Sequence, residues 1–331
     1  MKTSSHILLL AATLLASAAC TAAQDDDLTK WVDTKIGTGG HGHVFVGANV
    51  PFGMVQLGPT SIPQQWDWCS GYHESDSTVI GFSHTHLSGT GIGDLFDITV
   101  MPVVGSVKYA RGTEDDPASG LWSYADRSRE VSVPGYYCIP LERYGVLAEL
   151  TATSRVGLHR YTFPASDDAG IVFDLINGGC WDKATDTHIR VESDRRISGW
   201  RHSTGWAKDQ KVFFTAEVSE PFLAVDLIDG EGHVLESLSD DASSAKFCRL
   251  RFRTSEGQKI LLKVALSPVS VKGSALNLEA ELPGWDFDGT VRAANDDWNR
   301  ELEKVRIADG RLRGGDKATA DAKKCFYTAL Y

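Results

Sequence analysis

The chain has 331 residues, 42% of them apolar and 23% charged, which is the balance of a folded globular protein and excludes disorder, collagen and a multi-span membrane protein. Lys plus Arg number 33 against 44 Asp plus Glu, a net charge of −11 that repels phosphate backbones and argues against nucleic acid as a partner. Nine Trp in an acidic, polar chain suit a neutral ligand such as a sugar.

In chain order, the first segment reads as an address. Lys2 and His6 precede an apolar run, Ile7 to Ala19, too short for a membrane span and shaped like a signal-peptide core. Two cleavage sites compete. Ser17-Ala18-Ala19-Cys20 resembles a lipobox, with a lipid anchor at Cys20; the other cut follows Ala23. Residues 1–23 are therefore expected to be a signal peptide, and the product exported to the periplasm or the cell surface, with no transmembrane segment. The run Asp25-Asp26-Asp27 reads as a solvated linker. Cysteines at 20, 69, 138, 180, 248 and 325 show no metal-finger spacing, so most are expected to be buried small hydrophobes.

Two segments rich in Gly, His and aromatics come next. Ile36-Gly37-Thr38-Gly39-Gly40-His41-Gly42-His43 formally contains G-x-G-x-x-G, but Pro51 blocks a following helix and no acidic residue sits at the dinucleotide-binding position. The glycines read as a sharp turn or a close approach to a ligand. Trp66-Asp67-Trp68-Cys69-Ser70-Gly71-Tyr72-His73 is followed by Gly81-Phe82-Ser83-His84-Thr85-His86-Leu87-Ser88-Gly89-Thr90-Gly91. Aromatic faces stack on the C–H faces of a pyranose, while hydroxyls and imidazoles bond its hydroxyls, so these runs read as a binding pocket. The pairs His41/His43 and His84/His86 admit a transition-metal reading of cupin-like type, ranked below sugar binding and structural hydrogen bonding. Asp94 and Asp97 form a tempting carboxylate pair, but the preferred reading is that they bond loop amides.

From Trp31 to Val271 short strands recur between Gly, Pro and Asp punctuation, which indicates a large sandwich rather than βαβ units. Strands are predicted at 145–151, 156–163, 170–176, 211–218, 246–253 and 260–266. The pattern changes near Pro283-Gly284. Thr290 is predicted to cap a helix with Val291, Ala294, Trp298, Leu302 and Val305 on its apolar side. A second helix is predicted from Asp316, with Ala322, Cys325, Phe326 and Ala329 inward, and no stop signal before Tyr331, so the sequence reads as a fragment of a longer chain.

The runs Ile36 to Gly58 and Trp66 to Pro102, with Gly205-Trp206-Ala207-Lys208-Asp209-Gln210 and Glu220-Pro221-Phe222 as weaker support, resemble the N-terminal part of the family 92 glycoside hydrolases, the calcium-dependent exo-acting α-mannosidases. The Trp-Asp-Trp-Cys-Ser-Gly-Tyr-His form with Gly91-Ile92-Gly93-Asp94 is most similar to the α-1,2-mannosidase members. The resemblance implies a mainly β fold: an N-terminal β-supersandwich over residues 24–283, then over 284–331 a helical linker and the first helix of a truncated (α/α)6 barrel. It implies an inverting, calcium-assisted removal of terminal α-linked mannose from mannan or N-glycan oligosaccharides, or glycoprotein glycans. The catalytic acid and base and most calcium ligands would lie in the barrel, this chain's own C-terminal partner domain. No catalytic residue and no metal ligand is carried over onto this chain, which alone would be inactive. Trp66 and Trp68 are candidate stacking platforms, and Cys69, His84, Thr85 and His86 candidates for shaping the same rim. The alternative is a stand-alone carbohydrate-binding sandwich without catalysis.

Overall fold

The computed structural model describes residues 27–177, 181–235, 241–242, 245–307 and 312–331, so the signal peptide expected at 1–23, Cys20 and Cys180 lie outside the described residues. The chain divides into two units: Asp33–Trp298, and the described parts of Met1–Val32 and Asn299–Tyr331.

The larger unit is a sandwich of antiparallel sheets. One sheet runs, in spatial order, Ala48–Asn49, Gln56–Thr60, Gly81–Ser83, Thr99–Val104, Ser166–Asp174, Phe247–Thr254 and Ala224–Ile228. The other runs Asp241–Ala242, Lys183–Val191, Arg196–Thr204, Gln210–Val218, Gln258–Ser267, Val156–Phe163, Val146–Ala152, Tyr136–Leu141 and Val131–Val133. A two-stranded ladder joins Thr78–Val79 to Ser123–Tyr124. All six predicted strands are present within a residue or a few of the expected ends.

Period-two alternation explains the core. Cys248, Leu250 and Phe252 point inward on one strand. Rings meet across the gap between sheets, with Phe173 stacked on Phe214 (centroids 6.1 Å apart) and Phe82 against Tyr161 (6.3 Å). On the alternate positions, Arg249 and Arg251 share Asp168 at 2.9 and 2.8 Å. Cys69, Cys138 and Cys248 are free and buried, as small hydrophobes would be, while Cys325 is exposed.

Helix α1, Val271–Glu281, covers the outer face of the second sheet, where Leu278 and Leu282 pack on Val156, Leu158 and Ala265. Ser270 caps it by accepting from the Gly273 amide. This helix was not foreseen, because its buried positions include Ser274, whose hydroxyl meets that of Thr215 at 2.8 Å. Helix α2, Phe287–Leu302, starts earlier than predicted. Asp286 is the cap, accepting from the Gly289 amide at 2.8 Å, and Thr290 lies inside the helix with its hydroxyl on the Asp286 carbonyl. Ala294 and Trp298 are buried as predicted, and the Trp298 indole donates to the Asn49 carbonyl.

The smaller unit holds helix α3, Gly315–Leu330. Tyr327 packs on Leu28 and Leu302. Ala322, Cys325 and Ala329, expected inward, are exposed, so the buried side of α3 is rotated toward Tyr327.

Candidate functional site

Two tight turns build the center of the site. In the glycine segment, Gly37 and Gly40 take positive φ (90° and 54°), and a Cβ on Gly42 would lie 1.9 Å from the Gly37 carbonyl oxygen. Only glycine permits that fold-back, which throws His41 and His43 to one side. His43 itself is held at φ 53°, a conformation unfavourable for a residue with a side chain. The facing turn, Trp66–Trp68, is a single 3-10 turn closed by the Cys69 amide on the Trp66 carbonyl. Its Asp67 carboxylate oxygen Oδ1 meets His41 Nδ1 at 2.5 Å and His43 Nε2 at 3.3 Å. The His41 hydrogen bond holds the Asp67 carboxyl below the usual carboxylate range.

The tryptophans on either side of Asp67 take different environments. Trp66 is 51% exposed, with its ring edge-on to His43 at 4.3 Å and its indole N–H on the Gly91 carbonyl at 3.0 Å. Gly91 leaves the room for it, since a Cβ there would lie 2.5 Å from the indole. Trp68 is buried, stacked on His73 at 4.3 Å and donating to Asp76 Oδ2 at 2.6 Å. In this chain it anchors the turn rather than offering a face. Cys69 is buried with its thiol on the Thr90 carbonyl, and burial pushes its thiol pKa up.

The second histidine pair turns inward. His84 Nδ1 lies 2.6 Å from the Ile98 carbonyl, which can only accept, so the proton sits on Nδ1 and Nε2 is bare. His159 Nε2, 3.0 Å away, must then donate, leaving its Nδ1 to accept from the Tyr161 hydroxyl at 2.7 Å. All three side chains are buried, and burial drives the His84 pKa to about 3 and that of His159 well down. His86 donates from Nδ1 to the Gln56 carbonyl at 2.8 Å, lies between Phe45 and Phe96, and is driven to about 4 by burial. Thr85 exchanges two bonds with Asp97, its hydroxyl donating to Oδ2 and accepting from the Asp97 amide. The same Asp97 carboxylate takes Arg201 at 2.7 Å and Gln210 at 2.7 Å, and Arg201 also reaches Asp182 at 2.7 Å. So His84, Thr85 and His86 meet interior partners here, and Arg201, unmarked in the sequence, ties their loop to the far sheet. The four-histidine metal reading is corrected: His84 and His86 are each occupied away from His41 and His43.

The loop that receives Trp66 also positions two further tryptophans. The Trp181 amide bonds the Gly93 carbonyl at 3.1 Å. The Asp94 carboxylate accepts from the backbone amides of Trp206 and Ala207, the role foreseen for it as a loop-amide acceptor. Trp181 and Trp206 are 45% and 73% exposed. Three tryptophans are thus tied to residues 91, 93 and 94, Trp66 by its indole and Trp181 and Trp206 by their backbone amides, within a backbone span of about 10 Å. Leu95, Phe96 and Ile98 just beyond hold positive φ (79°, 58° and 53°), strain of about 1–3 kcal/mol each that the surrounding packing must sustain.

Among the described residues, the group of His, Cys, Asp or Glu donors close enough to share a cation is His41, His43 and Asp67. Two imidazoles and one carboxylate do not suit calcium, which takes six to eight oxygen ligands.

Comparison with known proteins decides the family. The model of the glycosyl hydrolase family 92 N-terminal domain matches residues 31–267, and that of the family 92 catalytic domain matches residues 273–331. The chain belongs to glycosyl hydrolase family 92. A family GH92 α-mannosidase of Bacteroides thetaiotaomicron is 34% identical with a TM-score of 0.83, over 92% of this chain and 40% of that one. A GH92 inverting mannosidase from Bacteroides thetaiotaomicron VPI-5482 shares the fold at 22% identity and a TM-score of 0.73, over 94% of this chain and 40% of that one. An uncharacterized secreted glycosidase of Arthroderma benhamiae is 23% identical over 94% of this chain and 42% of its own length. The chain therefore spans about two-fifths of the length of these relatives. The sandwich is its GH92 N-terminal domain, and the helices follow it as expected. Among the described residues, no helix is long and apolar enough to cross a membrane.

Proposed function

We propose that this chain serves an exported glycoside hydrolase that removes terminal α-linked mannose, of α-1,2 type, from mannan or glycan oligosaccharides with inversion. The observation that carries the reading is the 34% identity and 0.83 TM-score to a GH92 α-mannosidase, a member of the same family. A related structure of that protein is described in complex with mannoimidazole. The glycine turn, Asp67 and the exposed Trp66 supply a rigid aromatic edge suited to a pyranose. Trp181 and Trp206, exposed and anchored by their backbone amides to the same loop, would meet sugar units beyond the terminal one.

Inversion requires two carboxyl groups, one protonating the leaving oxygen and one activating water. We place both in the region of the family fold that this chain does not span, and calcium with them, where it would help grip vicinal hydroxyls. Each acid or base is worth about 10²–10⁴ in rate, so the chain by itself should be inactive. The test uses the enzyme containing this chain, given α-1,2-, α-1,3- and α-1,6-linked mannobiose, with the first-formed anomer read by NMR. Preferential release of β-mannose from the α-1,2 disaccharide, lost on chelation with EGTA, is expected. Release of α-mannose, no α-mannosidase activity, or full activity of the 331-residue chain alone would overturn the proposal.

A further inference from the structure

We propose that His41, His43 and Asp67 form a binding site for a transition-metal cation of the zinc type, which clamps the glycine turn to the Trp66 turn. The inference is independent of the mannosidase reading. Three donors from two separate loops, His41 Nδ1, His43 Nε2 and an Asp67 carboxylate oxygen, lie within 4.8 Å of one another. Two imidazole nitrogens and a carboxylate are the donor set of zinc, nickel and copper, and a poor one for calcium or magnesium.

The geometry is close to what such a cation needs. Metal–ligand bonds of about 2.0–2.2 Å at tetrahedral angles separate ligand atoms by about 3.4 Å. His43 Nε2 and Asp67 Oδ1 already stand 3.3 Å apart. His41 Nδ1 is nearer, at 2.5 Å, and must retreat by about 1 Å. It can, because its side chain is 76% exposed and it is flanked by Gly40 and Gly42. His43, by contrast, is fixed: its side chain is only 5% exposed, its backbone is in the left-handed region, and the Trp66 ring walls one side. The site thus has one movable ligand at its mouth and two set ligands below, an arrangement that admits an exchangeable cation. A fourth position stays free for water. Glu74 adds negative charge beside the glycine turn, its carboxylate lying 2.9 Å from where a Cβ on Gly39 would be.

Both histidines now share a single carboxylate oxygen. A cation would replace those two hydrogen bonds with three metal bonds and join loops about 25 residues apart in sequence. The Trp66 indole, 5.4 and 4.3 Å from the two imidazoles, would report its arrival.

The purified full chain, stripped with chelator, is titrated with zinc by calorimetry and with copper or nickel by tryptophan fluorescence. One equivalent of zinc and saturable quenching are expected. Cobalt should give the visible absorption of a tetrahedral site. His41→Ala and Asp67→Asn should each weaken binding by more than the roughly 10–100-fold typical of losing an outer partner. His41 is exposed, so its variant should melt as the parent does. Trp66→Phe should keep the zinc stoichiometry and lose most of the quenching. No saturable binding, or binding unchanged in His41→Ala and Asp67→Asn, overturns the site.

Discussion

The buried histidines make a quantitative prediction about acid. His84 and His159 form one hydrogen-bonded unit with a fixed proton order, since the Ile98 carbonyl and the Tyr161 hydroxyl set its two ends. A proton added to His84 Nε2 would face the N–H of His159, so the unit must break to accept it. His86 is a second neutral site, held at about 4, with His84 at about 3. Both lie below the unfolded value of about 6.5, so the unfolded chain takes up protons first as the pH falls. The stability these groups contribute is full above pH 6.5 and is lost on the way down to their folded pKa values. At pH 5 each site costs about 1.4 × 1.5, or about 2 kcal/mol, giving about 4 kcal/mol for the two. That is a large share of a total of about 5–15 kcal/mol. Urea unfolding of the parent, His84→Gln and His86→Gln at pH 7 and pH 5 is the assay. Each variant should lose less on acidification than the parent, by about 2 kcal/mol. Comparing differences removes the contribution of Asp174 and Asp182, whose raised pKa values act in the opposite direction. Parallel losses in parent and variants would refute the neutral relay.

Three further outcomes separate surface from support. Trp66→Ala should leave the melting temperature within a degree or so and weaken mannoside binding by on the order of 1 kcal/mol, about fivefold, in calorimetry or KM on the intact enzyme. Trp68→Ala should instead lose about 3–5 kcal/mol of stability in urea, since it empties a buried site and takes one of its hydrogen bonds from Asp76. Arg201→Met should lose about 3–5 kcal/mol by leaving Asp97 and Asp182 buried without their cation, and Asp97→Asn added to it should recover part of the loss in the same measurement.

The sandwich was readable because its strands alternate. Cys248, Leu250 and Phe252 announce one face by themselves, and Val156–Phe163 begins and ends where the pattern does. Helix α1 was hidden because it docks through Ser274 and Asn277 as well as Leu278, so a hydroxyl and an amide stand where the helical period wants apolar groups. Leu276, the residue that suggests an apolar face, is exposed. The cap of α2 was displaced by a similar ambiguity. Asp286 and Thr290 are both capping types, and only the Gly289 amide bond selects between them. In α3 the inward positions were expected at Ala322, Cys325, Phe326 and Ala329, yet the residue buried against Leu28 and Leu302 is Tyr327.

The site was legible as a composition but not as an arrangement. Trp66 and Trp68 are two apart in a 3-10 turn of three residues, so their side chains leave the axis about 120° apart and do not share a face. A string of aromatic letters does not say which one faces outward; the Gly91 gap and the Asp76 acceptor decide it. Asp67, given no role of its own from the sequence, is the acid that gathers His41 and His43 across 26 and 24 residues. That meeting depends on Gly42 folding against the Gly37 carbonyl, a steric fact with no signature beyond glycine itself. Trp181 and Trp206 are anchored to the same loop through bonds to Gly93 and Asp94, where the decisive partners are backbone amides that any sequence carries. What the three tryptophans share is therefore an anchor, the strained loop from Gly91 to Ile98. Its side chains are buried anchors such as Phe96 and Asp97, while the exposed rings belong to other segments. Substitutions in that loop should move the site without touching any residue that faces it.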